Sequence, residues 1–180
     1  MTIKKEQTAA VLIDVQERLF PHIHEHKNLE HNLLRFIKGL NVLEVPLLIT
    51  QQYTKGIGQT IPSLANAIDP FSPIEKMSFS CCGAKPFMDK LTELDPNFIL
   101  LFGIETHVCV LQTALQLLDD GYQPVIAEDC VSSRKANDKF IAIERMRQAG
   151  CVITTYESVL FELTQVAGTE TFKNISKIIK

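Results

Sequence analysis

Residues 100–115 read LLFGIETHVCVLQTAL. An unbroken apolar run stops at Gly103, and beyond it Val110, Ala114, Leu117 and Leu118 recur at helical spacing. That pattern is a buried strand running into a helix, the repeating unit of a parallel sheet. The same kind of run, continuous rather than alternating, recurs at TAAVLIDV (8–15), VPLLITQ (45–51), NFILLFG (97–103), QPVIAED (123–129) and GCVITTY (150–156). Between these strands Leu29, Leu33, Ile37 and Leu40 share one helical face, as do Phe87, Leu91 and Leu94, and then Ile141, Arg145 and Met146. A further strand is expected over Phe71–Glu75, because the chain has to recross the sheet before the helix that follows Ala84. Its prolines, Pro70 and Pro73, place it at an edge. Six parallel strands with helices on both faces make a doubly wound, three-layer α/β/α domain of strand order 3-2-1-4-5-6. The binding crevice of such a domain lies beyond the C-terminal ends of strands one and four. Phe172, Ile175 and Ile179 give the C-terminus a last amphipathic helix that docks on this subunit or on another.

Composition bounds the function. With 180 residues, 46% hydrophobic and 22% charged, residues 1–180 read as one globular domain without linker or repeat. A net charge of -3 and the lack of a basic stripe supply no field for phosphate backbones, so no nucleic-acid partner is expected. The N-terminal apolar run is interrupted by Asp14 and is too short for a signal peptide or a membrane span, so a soluble cytoplasmic protein with no membrane partner is expected. Five cysteines are an odd number with no secreted framework, which fits free thiols in a reducing compartment.

The strand ends carry the chemistry. Asp14 closes strand one, where an aspartate is a helix cap, a structural acceptor or a catalytic carboxylate. Cys109 sits in the first turn of the helix after strand four. A lone intracellular cysteine is commonly a small buried hydrophobe, but at a helix start the macrodipole favours its thiolate and lowers its pKa. Lys76 follows the third apolar segment; alone it reads as a surface lysine.

Together the LIDVQ stretch with Asp14, IEKMSFS with Lys76 and GIETHVCV with Cys109 resemble the Asp, Lys, Cys triad of the isochorismatase-like cysteine hydrolases. The likeness runs from strand one to the EDCVSSR segment after strand five. It implies a usually oligomeric α/β hydrolase that cleaves small amides through a thioester. Cys109 would be the nucleophile, Asp14 the general acid and base, and Lys76 the charge that keeps the carboxylate ionised and favours the thiolate. It further implies a cis Ile104–Glu105 peptide, with backbone N–H groups near Glu105 and Cys109 as the oxyanion hole. ITQQYTKGIG resembles the small family members without a metal-binding insertion. Nicotinamidases of the superfamily carry an aspartate and histidines here, whereas this chain has Gln51, Gln52 and Tyr53. No metal and no cofactor are therefore expected. Phe20, Gln52, Tyr53 and His107 are the expected pocket residues, the small-molecule substrate being unspecified.

Other features have plainer readings. His22, His24, His26 and His31 cluster, and His22 with His26 has the spacing of a helical metal pair, but a solvated loop and helix start fit as well. Adjacent Cys81 and Cys82 are poorly placed for a disulfide and read as packing near the site wall. KGIGQT lacks the ending of a phosphate loop. His107, two residues from Cys109, points to another side of the helix. A non-enzymatic binding protein and a thiol redox sensor remain alternatives to the hydrolase.

Overall fold

A computed structural model describes residues 2–180. Its elements alternate as the apolar runs require. They are β1 (Thr8–Ile13), α1 (His26–Val42), β2 (Leu47–Gln52), α2 (Thr54–Ile57), α3 (Pro62–Ala65), β3 (Ile74–Lys76), α4 (Lys85–Leu94) and β4 (Phe98–Ile104), followed by α5 (Leu111–Asp119), β5 (Gln123–Ser132), α6 (Ala136–Ala149), β6 (Val152–Thr154), α7 (Tyr156–Thr164) and α8 (Glu170–Ile179). All six strands form one parallel sheet in the order β3-β2-β1-β4-β5-β6. The three-layer, doubly wound architecture is thus the one that the apolar runs demand. Helices α1, α7 and α8 pack on one another, and α5 packs on α6 against β5.

Every residue of β1 and β4 is buried, which is why both read as unbroken apolar runs. Phe102 of β4 packs against Phe36 of α1 with ring centroids 4.9 Å apart and ring planes tilted by 59°, joining sheet and helix layer at the centre of the core. The edges depart from the sequence reading. β3 starts at Ile74, after both prolines and later than the expected Phe71–Glu75, because Pro73 has no N–H to give to a ladder. β6 is short and only half-buried, as its edge position allows. On α6 the buried set is Ala142, Ile143 and Met146, so Met146 faces inward as expected, whereas Ile141, 56% exposed, and Arg145 face outward and Ala142 and Ile143 take the inner face. Ile175 of α8 is fully buried, so that helix docks on its own chain. Among the described residues no helix is long and apolar enough to cross a membrane.

Where β1 and β4 end, their backbones almost touch. Gly103 pairs with Ile13 and has φ +118; a Cβ there would lie 2.2 Å from the Ile13 carbonyl oxygen. Only glycine fits this position. The close approach brings the residue after Ile13, which is Asp14, beside the turn that follows β4.

Candidate active site

Asp14 leaves β1 in the left-handed region, φ 50, a conformation that costs energy in a non-glycine residue and is kept where the surroundings impose it. The imposition is visible. Its N–H donates to the Thr50 carbonyl at 3.2 Å, and Thr50 Oγ1 donates back to Asp14 Oδ1 at 2.8 Å. Lys76 Nζ donates to Asp14 Oδ2 at 2.6 Å, and also to the carbonyls of Ser78 (3.1 Å) and Phe79 (2.9 Å). These acceptors use the three hydrogens of the ammonium. The lysine and aspartate side chains are 0% and 2% exposed, so this is a buried ion pair whose desolvation is offset by charge and by a full set of hydrogen bonds.

Cys109 lies in a single π-helical turn, Thr106–Val110, that precedes α5. The Val110 N–H reaches back to the Glu105 carbonyl at 3.2 Å, and the Ile104–Glu105 peptide just before the turn is cis. Single π turns inside helices recur at functional sites. Behind the turn, Thr113 Oγ1 donates to the Cys109 carbonyl at 2.7 Å and accepts from the Cys81 N–H at 3.0 Å. The Cys109 Sγ–H donates to Gln52 Oε1 at 3.3 Å. Asp14 is close as well, and its charge acts on the thiol.

The thiol is not activated at rest. Burial raises its pKa far above the usual thiol range, the negative charge of Asp14 raises it further, and Lys76 lowers it too little to compensate. The expectation of a depressed pKa is therefore corrected. Its reasons are that the ammonium is already committed to Asp14, and that regular helix begins only at Leu111, two residues past the sulfur. Cys81 stands behind the site with Sγ 3.8 Å from Thr50 Oγ1, its own thiol pushed up to about 12, first by burial and then by Asp14.

The remaining expected residues divide. Gln52 meets the thiol, and Tyr53 follows it, 46% exposed with φ 40. Phe20 is buried edge-on to His26, with ring centroids 5.7 Å apart. His107 turns to Ser133 Oγ (2.9 Å) and Asp138 (3.9 Å). Glu105 accepts from both the N–H (3.0 Å) and Nε (3.1 Å) of Arg134, tying the start of the turn that carries Cys109 to the loop after β5. His22 closes a 3-10 turn while His26 opens α1, so they do not share a helix face; among the described residues no group of acidic, histidine and cysteine side chains is gathered for a metal. A cavity of about 520 Å³ lies between the end of β5, α6 and the start of α1, lined by Glu25, Asp129, Lys139 and Phe140 among others. It contains none of Asp14, Lys76 and Cys109, and its Lys139 is paired with Glu128 at 2.9 Å. The cavity lies elsewhere on the same rim as the thiol.

A model of the isochorismatase domain matches residues 8–158. The chain belongs to the isochorismatase family. Isochorismatase family protein 1B of Dictyostelium discoideum is 39% identical over 99% of this chain and 88% of its own length. The solved structure of MAR1 ribonuclease from Caenorhabditis elegans superposes with a TM-score of 0.93 at 34% identity, over 99% of this chain and 92% of that one. The Escherichia coli YcaC product, described as an octameric hydrolase of unknown specificity, shares the fold at TM-score 0.94 and 20% identity, over 99% of this chain and 89% of its own. Around Asp14, Cys109 and Glu105, sequence reading missed the contacts made by Gln16, Thr50, Thr113 and Arg134. Thr50 could have been found as the polar interruption of an apolar strand, and Gln16 by its place two residues after Asp14. Nothing in sequence spacing marks Thr113 or Arg134.

Proposed function

We propose that this protein is a metal-independent cysteine hydrolase that cleaves a small amide, or a related C–N or acyl compound, with Cys109 as nucleophile. The observation that carries the reading is a buried carboxylate, Asp14, held by Lys76 and Thr50 beside a buried thiol. A protonated resting thiol fits this division of labour. Asp14 takes the proton as Sγ attacks the carbonyl carbon, then returns it to the nitrogen as the C–N bond breaks and amine departs. Water, deprotonated by Asp14, attacks the thioester; the acid leaves and the thiol regains its proton. Lys76 holds the carboxylate of Asp14 in place through these steps, and N–H groups of Glu105 and Cys109 receive the oxyanion.

The test is intact-mass screening of an amide library. An acyl adduct on Cys109 that turns over, unaffected by prior dialysis against chelator, is expected. Activity lost to chelator and restored by zinc would overturn the metal-independent reading, and a library with no adduct would sink the hydrolase. The ribonuclease name of the nematode relative is a second reading, favoured by that likeness and opposed by the net charge of -3. RNA cleavage by the same preparation, lost in Cys109→Ala, would replace the amidase.

The reading includes a homo-oligomer. Phe140 and Ile141 stand side by side on α6, 60% and 56% exposed, and the E. coli relative of the same fold is described as octameric. Light scattering is expected to give a multiple of the 20.2 kDa chain mass, and a monomer at micromolar concentration would refute it. Free cysteines throughout fit a reducing, cytoplasmic setting.

A further inference from the structure

The carboxamide of Gln52 is held in one orientation. Gln16, fully buried, takes both backbone groups of Gln52: its Oε1 accepts from the Gln52 N–H (2.8 Å) and its Nε2 donates to the Gln52 carbonyl (2.9 Å). The same Nε2 donates to the Gly58 carbonyl at 2.7 Å, which fixes the end of β2 against the following loop. Out on the side chain, Gln52 Nε2 points at the Met77 carbonyl (3.4 Å) and Oε1 faces Cys109 Sγ (3.3 Å). Turning the amide over would set oxygen against the Met77 carbonyl. The nucleophile therefore meets an acceptor.

At rest that acceptor is satisfied by the S–H. Once the proton has passed to Asp14, a thiolate and a carbonyl oxygen face each other, an arrangement that electrostatics opposes. An N–H brought by the substrate and donated to Oε1 removes the conflict. An ester or a tertiary amide brings none. We propose that Gln52 is a specificity-determining residue that accepts a hydrogen bond from an N–H within one or two atoms of the reacting carbon. The site then prefers substrates that carry such an N–H over esters and tertiary amides. This rests on the cysteine hydrolase reading, since it requires Cys109 to be the attacking atom.

Two alkylating probes test it without knowledge of the substrate. Iodoacetamide and methyl iodoacetate react alike: the Sγ–C bond forms as the C–I bond breaks, iodide departs, and the thiol proton passes to Asp14 or to buffer. Only the amide carries an N–H. Rates at Cys109 are read by peptide mass mapping, and each is divided by the rate with glutathione. The normalised amide-to-ester ratio is expected to be about tenfold above unity in the wild type, the worth of one hydrogen bond. It falls to unity in Gln52→Leu. Gln52→Glu, which keeps acceptor oxygens and adds a charge, slows both probes and keeps the ratio above unity. A wild-type ratio of one, or a raised ratio that survives Gln52→Leu, overturns the proposal. The absence of an acyl adduct in the amide screen sinks the hydrolase while this ratio still reports on Gln52. Cys109 unlabelled by both probes even in alkaline buffer, while Cys82 is labelled, overturns both.

Discussion

Asp14→Asn is expected to lower the rate of Cys109 acylation by an amide by about 10²–10⁴-fold, the usual contribution of a positioned general base. The asparagine keeps the shape and can still accept from Thr50, but it takes no proton from sulfur and returns none to the amine. It also removes the counter-charge of Lys76, whose side chain is 0% exposed. An ammonium left buried without its carboxylate costs about 3–5 kcal/mol, a fall in Tm of roughly 6–20 °C for a chain of this size. The two losses can be separated. In Asp14→Asn/Lys76→Met both charges are gone, so thermal unfolding should move back towards wild type while acylation stays as slow as in the single variant. Acylation that recovers in the double variant would remove Asp14 from the chemistry.

Lys76→Met leaves the opposite defect, a buried carboxylate with only Thr50 to hold it, and a similar stability loss of about 3–5 kcal/mol is expected by thermal unfolding. Its second effect is on the sulfur. The lysine charge lowers the Cys109 pKa, although burial and Asp14 outweigh it, so its removal raises that pKa further. Below the pKa the thiolate fraction, and with it the alkylation rate, changes about tenfold per pH unit. Wild-type Cys109 should therefore alkylate slowly near neutrality and faster as pH rises past the usual thiol range, with Lys76→Met slower at every pH and recovering only in stronger alkali. Coincident pH profiles for the two proteins would reduce Lys76 to a structural partner.

How far the sequence reaches is clear from particular elements. The runs of β1 and β4 are legible because both faces of a central parallel strand are buried, so no polar residue interrupts them until the rim. Edges are less legible. β6 and β3 are short, and where each begins is decided by neighbouring strands and by prolines rather than by apolar content. The outward turn of Ile141 escaped because an isoleucine at near-helical spacing is indistinguishable, in sequence, from one a single position away that faces the core. At the site, separate motifs with Asp14, Lys76 and Cys109 could be named, yet the state of the thiol could not. It depends on burial and on which partner holds the ammonium, and both are properties of three dimensions.

The bonds that Lys76 makes outside the ion pair go to main-chain carbonyls, those of Ser78 and Phe79, in a loop where Met77 is 70% and Phe79 52% exposed. A carbonyl is present whatever side chain its residue carries. Met77 and Phe79 can therefore be exchanged for residues of other size and polarity without altering the atoms that clamp the ammonium. Variation of the side chains in this loop and constancy of the charged pair are thereby uncoupled.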